Sequence, residues 1–193
     1  SLSAAAWAVL QDDRQDFGGG RSWAGILNYV FAEYRDKADA SISVAVERRR
    51  AQYEEKLVGV AAPAVRKAVL EALLADYTEE LIKKAAQNGA TPPDKESFKF
   101  RLDRDNYAFR EQWLDSPDAQ YYGGRFSRYL RAVLEEYAAK TVYQREAIYF
   151  DPQMRLIRAA AVNGELLRIR LKKGSSFEVR PYGVLGDRQE TYH

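Results

Sequence analysis

Cysteine is absent from this chain, and histidine occurs once, as the final residue His193. The first absence excludes disulfides, thiolate metal sites and cysteine nucleophiles. The second leaves nothing from which to build a His-based metal cage or a Ser-His-Asp triad. No apolar run approaches the roughly 18 residues of a membrane-spanning helix, and no signal peptide pattern is present. The cytoplasm is therefore the expected compartment. An excess of one charge is also missing: 30 Lys and Arg against 28 Asp and Glu leave a net charge of +2, so composition alone does not mark a nucleic-acid binder. Neighbouring carboxylates such as Asp12-Asp13 and Glu79-Glu80 diverge around a helix. No general acid/base pair and no metal set emerges, so the expectation is a non-enzymatic protein with no catalytic residue, metal or cofactor.

What is present fits a globular protein: 46% hydrophobic and 30% charged residues, with 13 tyrosines suited to half-buried surfaces and interfaces. A length of 193 residues allows one large domain or two to three small ones. The chain starts at Ser1-Leu2, already at the edge of an element, and stops at Thr191-Tyr192-His193, which reads as the start of a strand. It is expected to be part of a longer protein.

The organising pattern is a repeat. Phe126, Tyr129, Leu130, Val133, Leu134 and Tyr137 lie at i, i+3, i+4, i+7, i+8 and i+11, one face of a helix, behind Gly123-Gly124. Trp23, Ile26, Leu27, Val30, Phe31 and Tyr34 show the same register 103 residues earlier, behind Gly18-Gly19-Gly20. A first helix, opened by Ser3, carries Trp7, Val9 and Leu10. Its counterpart, opened by Asp103, carries Tyr107, Phe109, Trp113 and Leu114, at an offset of 100. Before Asp103, residues Ser97 to Leu102 alternate as a strand with Phe98, Phe100 and Leu102 on one face and Lys99 and Arg101 on the other. By the same alignment a strand is expected ahead of Leu2. Between the copies, a helix carries Val44, Val46, Tyr53 and Leu57 with Arg48-Arg49-Arg50 as a solvated face. The next begins at Pro63, carries the row Val65, Val69, Leu73, Tyr77 and Leu81, and ends at Asn88-Gly89 before Thr91-Pro92-Pro93.

From Arg145 onward the composition shifts. A short helix or turn around Met154 to Val162 leads to the turn signal Asn163-Gly164. Leu166 to Leu171 and Ser176 to Arg180 read as strands about the polar turn Lys172 to Ser175, and Tyr192 as the opening of a third. So few short strands bury no core alone, which predicts a small β-barrel completed by further sequence.

The strand, helix, glycine turn and amphipathic helix around Phe98 to Asp103 and Phe126 to Arg131 resemble the ribbon-helix-helix fold. That resemblance implies that two units intertwine, either within this chain or across a homodimer, and that Phe98, Phe100, Leu102, Phe126, Tyr129, Leu130 and Val133 form the dimer or pseudo-dimer core. The segments Arg145 to Phe150, Leu167 to Arg170, Phe177 to Val184 and Thr191 to His193 resemble the beginning of a WYL domain, an Sm-like β-barrel of bacterial regulators. Together the two resemble the WYL accessory proteins of type VI-D CRISPR systems, which implies binding of single-stranded RNA and stimulation of an RNA-guided nuclease partner by a homodimer. A DNA-binding transcription regulator and a protein-interaction scaffold remain the alternatives.

The expected fold is thus mainly α with short β. Two ribbon-helix-helix-like units occupy 1–38 and 94–140, connecting helices and a Pro linker 39–93, and an incomplete WYL-like barrel 141–193. Lys99 and Arg101 are candidates for reading guanine edges in the major groove, or else ordinary solvated strand residues. Arg125, Arg128 and Arg131 form one basic stripe, and Gly124, Arg125 and Ser127 a phosphate seat at a helix start, or a face paired with Glu135 and Glu136. Residues 141–193 hold nine Lys or Arg against six Asp or Glu. There Arg168, Arg170, Lys172, Lys173, Arg180 and Tyr182, with Phe177 beside them, are candidates for a basic, aromatic groove for single strands. Barrel core is the competing role for Phe177 and Tyr182.

Overall fold

In chain order the elements are β1 (Leu2–Ser3), α1 (Ala4–Asp16), α2 (Trp23–Tyr34), α3 (Ile42–Leu57), α4 (Pro63–Gly89), β2 (Lys95–Glu96), α5 (Arg104–Leu114), α6 (Pro117–Tyr121), α7 (Phe126–Ala138), α8 (Val142–Tyr149), α9 (Asp151–Asn163), β3 (Leu167–Arg170) and β4 (Ser176–Val179). The computed structural model describes residues 1–59, 62–92, 94–96, 99–170 and 174–182. The protein is mainly helical with short β, and it divides into residues 1–148 and 149–193. Both copies of the repeat and the helices between them therefore share one compact unit, and the second unit begins inside α8 rather than at 141.

Helix starts follow the sequence closely. The Ser3 hydroxyl accepts from the Ala6 N–H at 3.1 Å, and the Asp103 carboxylate from the Asn106 N–H at 2.9 Å, the same contact 100 residues apart. Ser22 caps α2 through the Gly25 N–H, whereas its counterpart Arg125 supplies no side-chain cap to α7. Gly123 and Gly124 both have positive φ, 61° and 68°, a conformation that costs glycine little.

The two copies pair with each other inside the chain. β1 and β2 are antiparallel, Leu2 opposite Glu96 and Ser3 opposite Lys95. Helices α2 and α7 pack against one another, and Tyr34 meets its own counterpart Tyr137 edge-on at 5.8 Å. Phe31 sits at the centre, edge-on to Phe109 (5.8 Å), Phe126 (5.7 Å) and Tyr129 (5.8 Å), while Trp113 stacks on Tyr129 at 4.9 Å. A polar brace repeats the symmetry. Asn28 Nδ2 donates to the Arg101 carbonyl at 2.9 Å, and Arg131 Nε donates to the Ser1 carbonyl at 2.7 Å. Asn28 aligns with Arg131 and Ser1 with Arg101, so each copy's second helix holds the start of the other copy.

Several expectations need correction. The regular strand falls at Lys95–Glu96, and of the expected strand 97–102 the described residues 99–102 are not part of it. Residues 99–103 carry no strand, because the two residues of β1 pair further back, with Ser3 opposite Lys95. Phe98 lies outside the described residues. Phe100, Leu102 and Leu130 are half-buried, so the core is carried by Phe126, Tyr129 and Val133. On α4 the expected row also shifts: Leu70, Leu74, Leu81, Ala85 and Gly89 are buried, while Val65, Val69 and Leu73 are exposed. A strict i, i+4 row turns by about 40° per step and leaves the packed face, whereas the observed row is brought back by about 20° at the seven-residue step from Leu74 to Leu81. Pro117 opens α6, and α9 runs through Asp151–Asn163, longer than expected, with Gly164 (φ 66°) as its left-handed cap.

The arginine run has mostly internal roles. Arg48 donates to the carbonyls of Lys37 and Ala38, Arg49 lies over the Tyr77 ring at 4.5 Å, and Arg50 pairs with Glu47. One buried ion pair ties α8 to α1: Arg145 donates from Nε to Asp13 Oδ2 (2.8 Å) and from Nη2 to Oδ1 (3.1 Å). In residues 149–182, β3 and β4 form an antiparallel hairpin with Leu167 opposite Val179 and Ile169 opposite Phe177.

Candidate nucleic-acid interface

Asp103 turns the chain into α5, and Gly123-Gly124 turns it into α7. These two turns form opposite walls of an open groove of about 1010 Å³. Arg101, Arg104, Tyr107 and Arg110 stand on one wall, Arg125 and Ser127 on the other. A smaller cavity of about 400 Å³ shares Phe100 and Ser127 with it and reaches Lys99 and Arg131. Lys99, Arg101, Arg104 and Arg125 are exposed, and the three arginines form no ion pair among the described residues. The one carboxylate on the floor, Asp103, is engaged by the α5 N-terminus. Arg110 pairs with Glu111 at 3.2 Å on an exposed face, and its guanidinium lies 5.5 Å from the Tyr107 ring centre. Tyr107 is 52% exposed.

Four residues expected to contact nucleic acid, Lys99, Arg101, Arg125 and Ser127, are thus brought to one groove. Arg128 is exposed in the first turn of α7, with its guanidinium near Gly123. Arg131 leaves the basic stripe. It turns inward to the carbonyls of Ser1 and Gly89, both at 2.7 Å, and burial pushes its guanidinium below the ordinary arginine value. Spacing at i, i+3, i+6 spreads three side chains over about 120° of a helix, enough to put the last one under the edge. Glu135 and Glu136 do not pair with the stripe. Glu135 accepts from the Ser3 N–H and hydroxyl, and buried Glu136 from the Tyr34 hydroxyl and the N–H groups of Asp39 and Ala40.

Arg104, Tyr107 and Arg110 were not among the expected contacts. Tyr107 reads as a core residue because its counterpart Trp7 opens an apolar face. The signal that finds the groove is a residue-by-residue comparison of the two copies. Ser1, Ala4, Leu10 and Ser22 stand where the second copy has Arg101, Arg104, Arg110 and Arg125.

The second candidate surface, on the β3–β4 hairpin, is divided between two faces. Arg168 and Arg170 lie opposite Glu178 and Ser176, and Arg168 pairs with Glu178 at 3.0 Å. Phe177 lies on the other face with Leu167, Ile169 and Val179 and is not beside the arginines, since register alternates the faces. Arg180 and Tyr182 are exposed, Tyr182 by 95%. Lys172, Lys173 and Gly183–His193 lie outside the described residues.

Among the described residues no group of acidic residues and histidine is arranged to hold a metal ion, and no helix is long and apolar enough to cross a membrane. No family model, curated protein or solved structure matches this chain.

Proposed function

We propose that this protein is a non-enzymatic, nucleic-acid-binding regulator that works through the basic groove between the α5 and α7 turns. The observation that carries this reading is the set of three exposed arginines, Arg101, Arg104 and Arg125, which face one another across the groove without internal carboxylate partners. Cations gathered this way repel one another, and polyphosphate relieves that repulsion while releasing counterions. In its specific form the reading follows the resemblance of the chain. Two ribbon-helix-helix-like halves make the frame, a WYL-like barrel begins at the β3–β4 hairpin, and the bound nucleic acid is single-stranded RNA that couples the protein to an RNA-targeting CRISPR nuclease.

Two features of the frame bear on the alternatives. A DNA reader working through the ribbon needs basic side chains related by the internal two-fold, but the counterpart of Arg101 is Ser1. The pseudo-dimer core is formed within one chain, so the paired halves do not themselves call for a second copy. The test is fluorescence anisotropy with labelled single-stranded RNA and duplex DNA at about 50 mM salt, where electrostatic binding is strong. RNA binding that Arg101→Glu with Arg125→Glu abolishes is the expected result. Undetectable binding to either nucleic acid would leave the scaffold reading, and tight sequence-specific duplex binding lost in Lys99→Ala with Arg101→Ala would establish the DNA reading. Faster cleavage by an RNA-guided ribonuclease on adding the protein tests the proposed partner.

A further inference from the structure

The residues that line the groove all belong to the second copy, and the matching part of the first copy is built differently. In the first copy, Trp7 and Trp23 stack face to face, with ring centres 4.2 Å apart and an interplanar angle of 18°. The Arg14 guanidinium covers Trp23 at 5.0 Å. In the second copy the counterpart of Trp23 is Phe126, which turns inward onto Trp113 (5.4 Å) and Phe31 (5.7 Å). Tyr107, the counterpart of Trp7, thereby loses its stacking partner and presents its ring to the groove. The same copy holds the four arginines that the first lacks. In the first copy the two rings cover each other; in the second the Tyr107 ring is half exposed, with the Arg110 guanidinium 5.5 Å from its centre and no ring partner among the described residues.

Building on the proposed function, we infer that this groove is a single-strand site, one per chain, in which an unpaired base stacks on Tyr107 and the flanking phosphates lie on Arg101, Arg104 and Arg125. A duplex keeps its base faces against each other and has no use for an exposed ring in a basic groove, whereas an unstacked base uses both parts of it. A two-fold duplex reader needs two like halves, and here the matching position is filled by Trp7 on Trp23. The ring and the cations suit RNA and single-stranded DNA alike, so the shared chemistry is a flexible strand with at least one unstacked base.

The test uses the whole protein with RNA and DNA oligonucleotides of the same sequence, about 10 nucleotides long to match the usual site sizes. Each carries one 2-aminopurine, whose fluorescence is quenched on stacking. One strand is expected per chain in a titration well above the dissociation constant, with quenching on binding. Tyr107→Ala should weaken binding roughly 5- to 100-fold and abolish the quenching, with Tyr107→Phe restoring both. Arg104→Glu should weaken binding without removing the quenching at saturation. Tyr107 and Arg104 are exposed, so these variants are expected to keep the native helical circular dichroism. Two strands per chain, tighter binding to the matching duplex, or binding indifferent to Tyr107→Ala and Arg104→Glu would each overturn the inference. If binding is instead lost in Arg168→Ala with Arg170→Ala, the groove falls both as a single-strand site and as the working surface of the regulator, while nucleic-acid binding by the chain stands. If no strand binds even at low salt, both fall.

Discussion

The two copies of the repeat share a backbone plan and differ in what their surfaces do. Both begin at a capped helix, place a glycine turn next and send an amphipathic helix into a common core. At four matched positions one has Ser1, Ala4, Leu10 and Ser22 and the other Arg101, Arg104, Arg110 and Arg125. The difference teaches that core positions and groove positions are separable. Ala6 and Asn106 are both buried and so are Asp13 and Trp113, although the chemistry differs within each pair. The fold requires a filled position there, and what fills it decides what each copy can attach to. Asp13 takes Arg145 from α8, while Trp113 joins the aromatic cluster.

That comparison can be broken most severely at the buried pair. Asp13→Ala leaves the Arg145 guanidinium buried without its carboxylate and is expected to cost about 3–5 kcal/mol. Trp113→Ala empties the matched position and should cost a similar 3–5 kcal/mol through lost burial. Urea unfolding measures both, and a loss under about 1 kcal/mol for either would show that the position is not part of the common core. The polar brace comes next. Asn28→Ala removes the side-chain partner of the Arg101 carbonyl and of the Asp103 N–H and one of the two acceptors of the Asn106 amide, for an expected loss of about 2–3 kcal/mol. Arg131→Ala, at the half-exposed counterpart, should cost less, about 1–2 kcal/mol. Equal losses would mean that the brace is not graded by burial.

Smaller still is the capping pair, where Asp103→Ala should cost about 1 kcal/mol. Ser3→Ala should exceed it, because Ser3 also donates to Glu135. At the bottom of the scale, Arg125→Ala is expected to change stability by less than about 0.5 kcal/mol. The same substitution should flatten the salt dependence of single-strand binding by about 0.7 in logarithmic slope. A separate probe acts on the seam between the copies. Burial raises the phenols of Tyr34, Tyr122 and Tyr129 above the ordinary 10.0, with Glu136 adding to the shift at Tyr34. A group whose folded value is raised contributes stability fully below its unfolded value and loses it as pH rises. Stability should therefore hold up to about pH 10 and fall above it, with the tyrosinate absorbance that Tyr34→Phe, Tyr122→Phe or Tyr129→Phe removes appearing together with unfolding. Ionisation of these three rings ahead of the loss of helix would count against their lying in the seam.

Much of this was readable in the residues. The repeat, the caps at Ser3 and Asp103, and the glycine turn before Phe126 all rest on local chemistry, and local chemistry fixed them. The expected strand was misplaced over 99–102 because alternation marks a two-faced segment without saying which partner it finds. With β1 pairing further back, Phe100 and Leu102 became a groove wall. The α4 row failed for a geometric reason, since Val65, Val69 and Leu73 drift off the packed face. For the site, Lys99, Arg101, Arg125 and Ser127 were visible as cations and a helix start. Tyr107 was hidden because its exposure depends on where Phe126 points, a choice set by Trp113 and Phe31 far along the chain.

The internal pairing of the copies has a consequence for how such a molecule changes. In a symmetric homodimer every substitution is made twice, so an arginine that opens a groove on one side opens it on the other and any strain is doubled. Here α3 and α4 keep the partner tethered, at an effective concentration independent of how much protein is present. Each half then has to fit only one neighbour, always the same one. The tether frees one half to remain a packed support while the other is altered residue by residue.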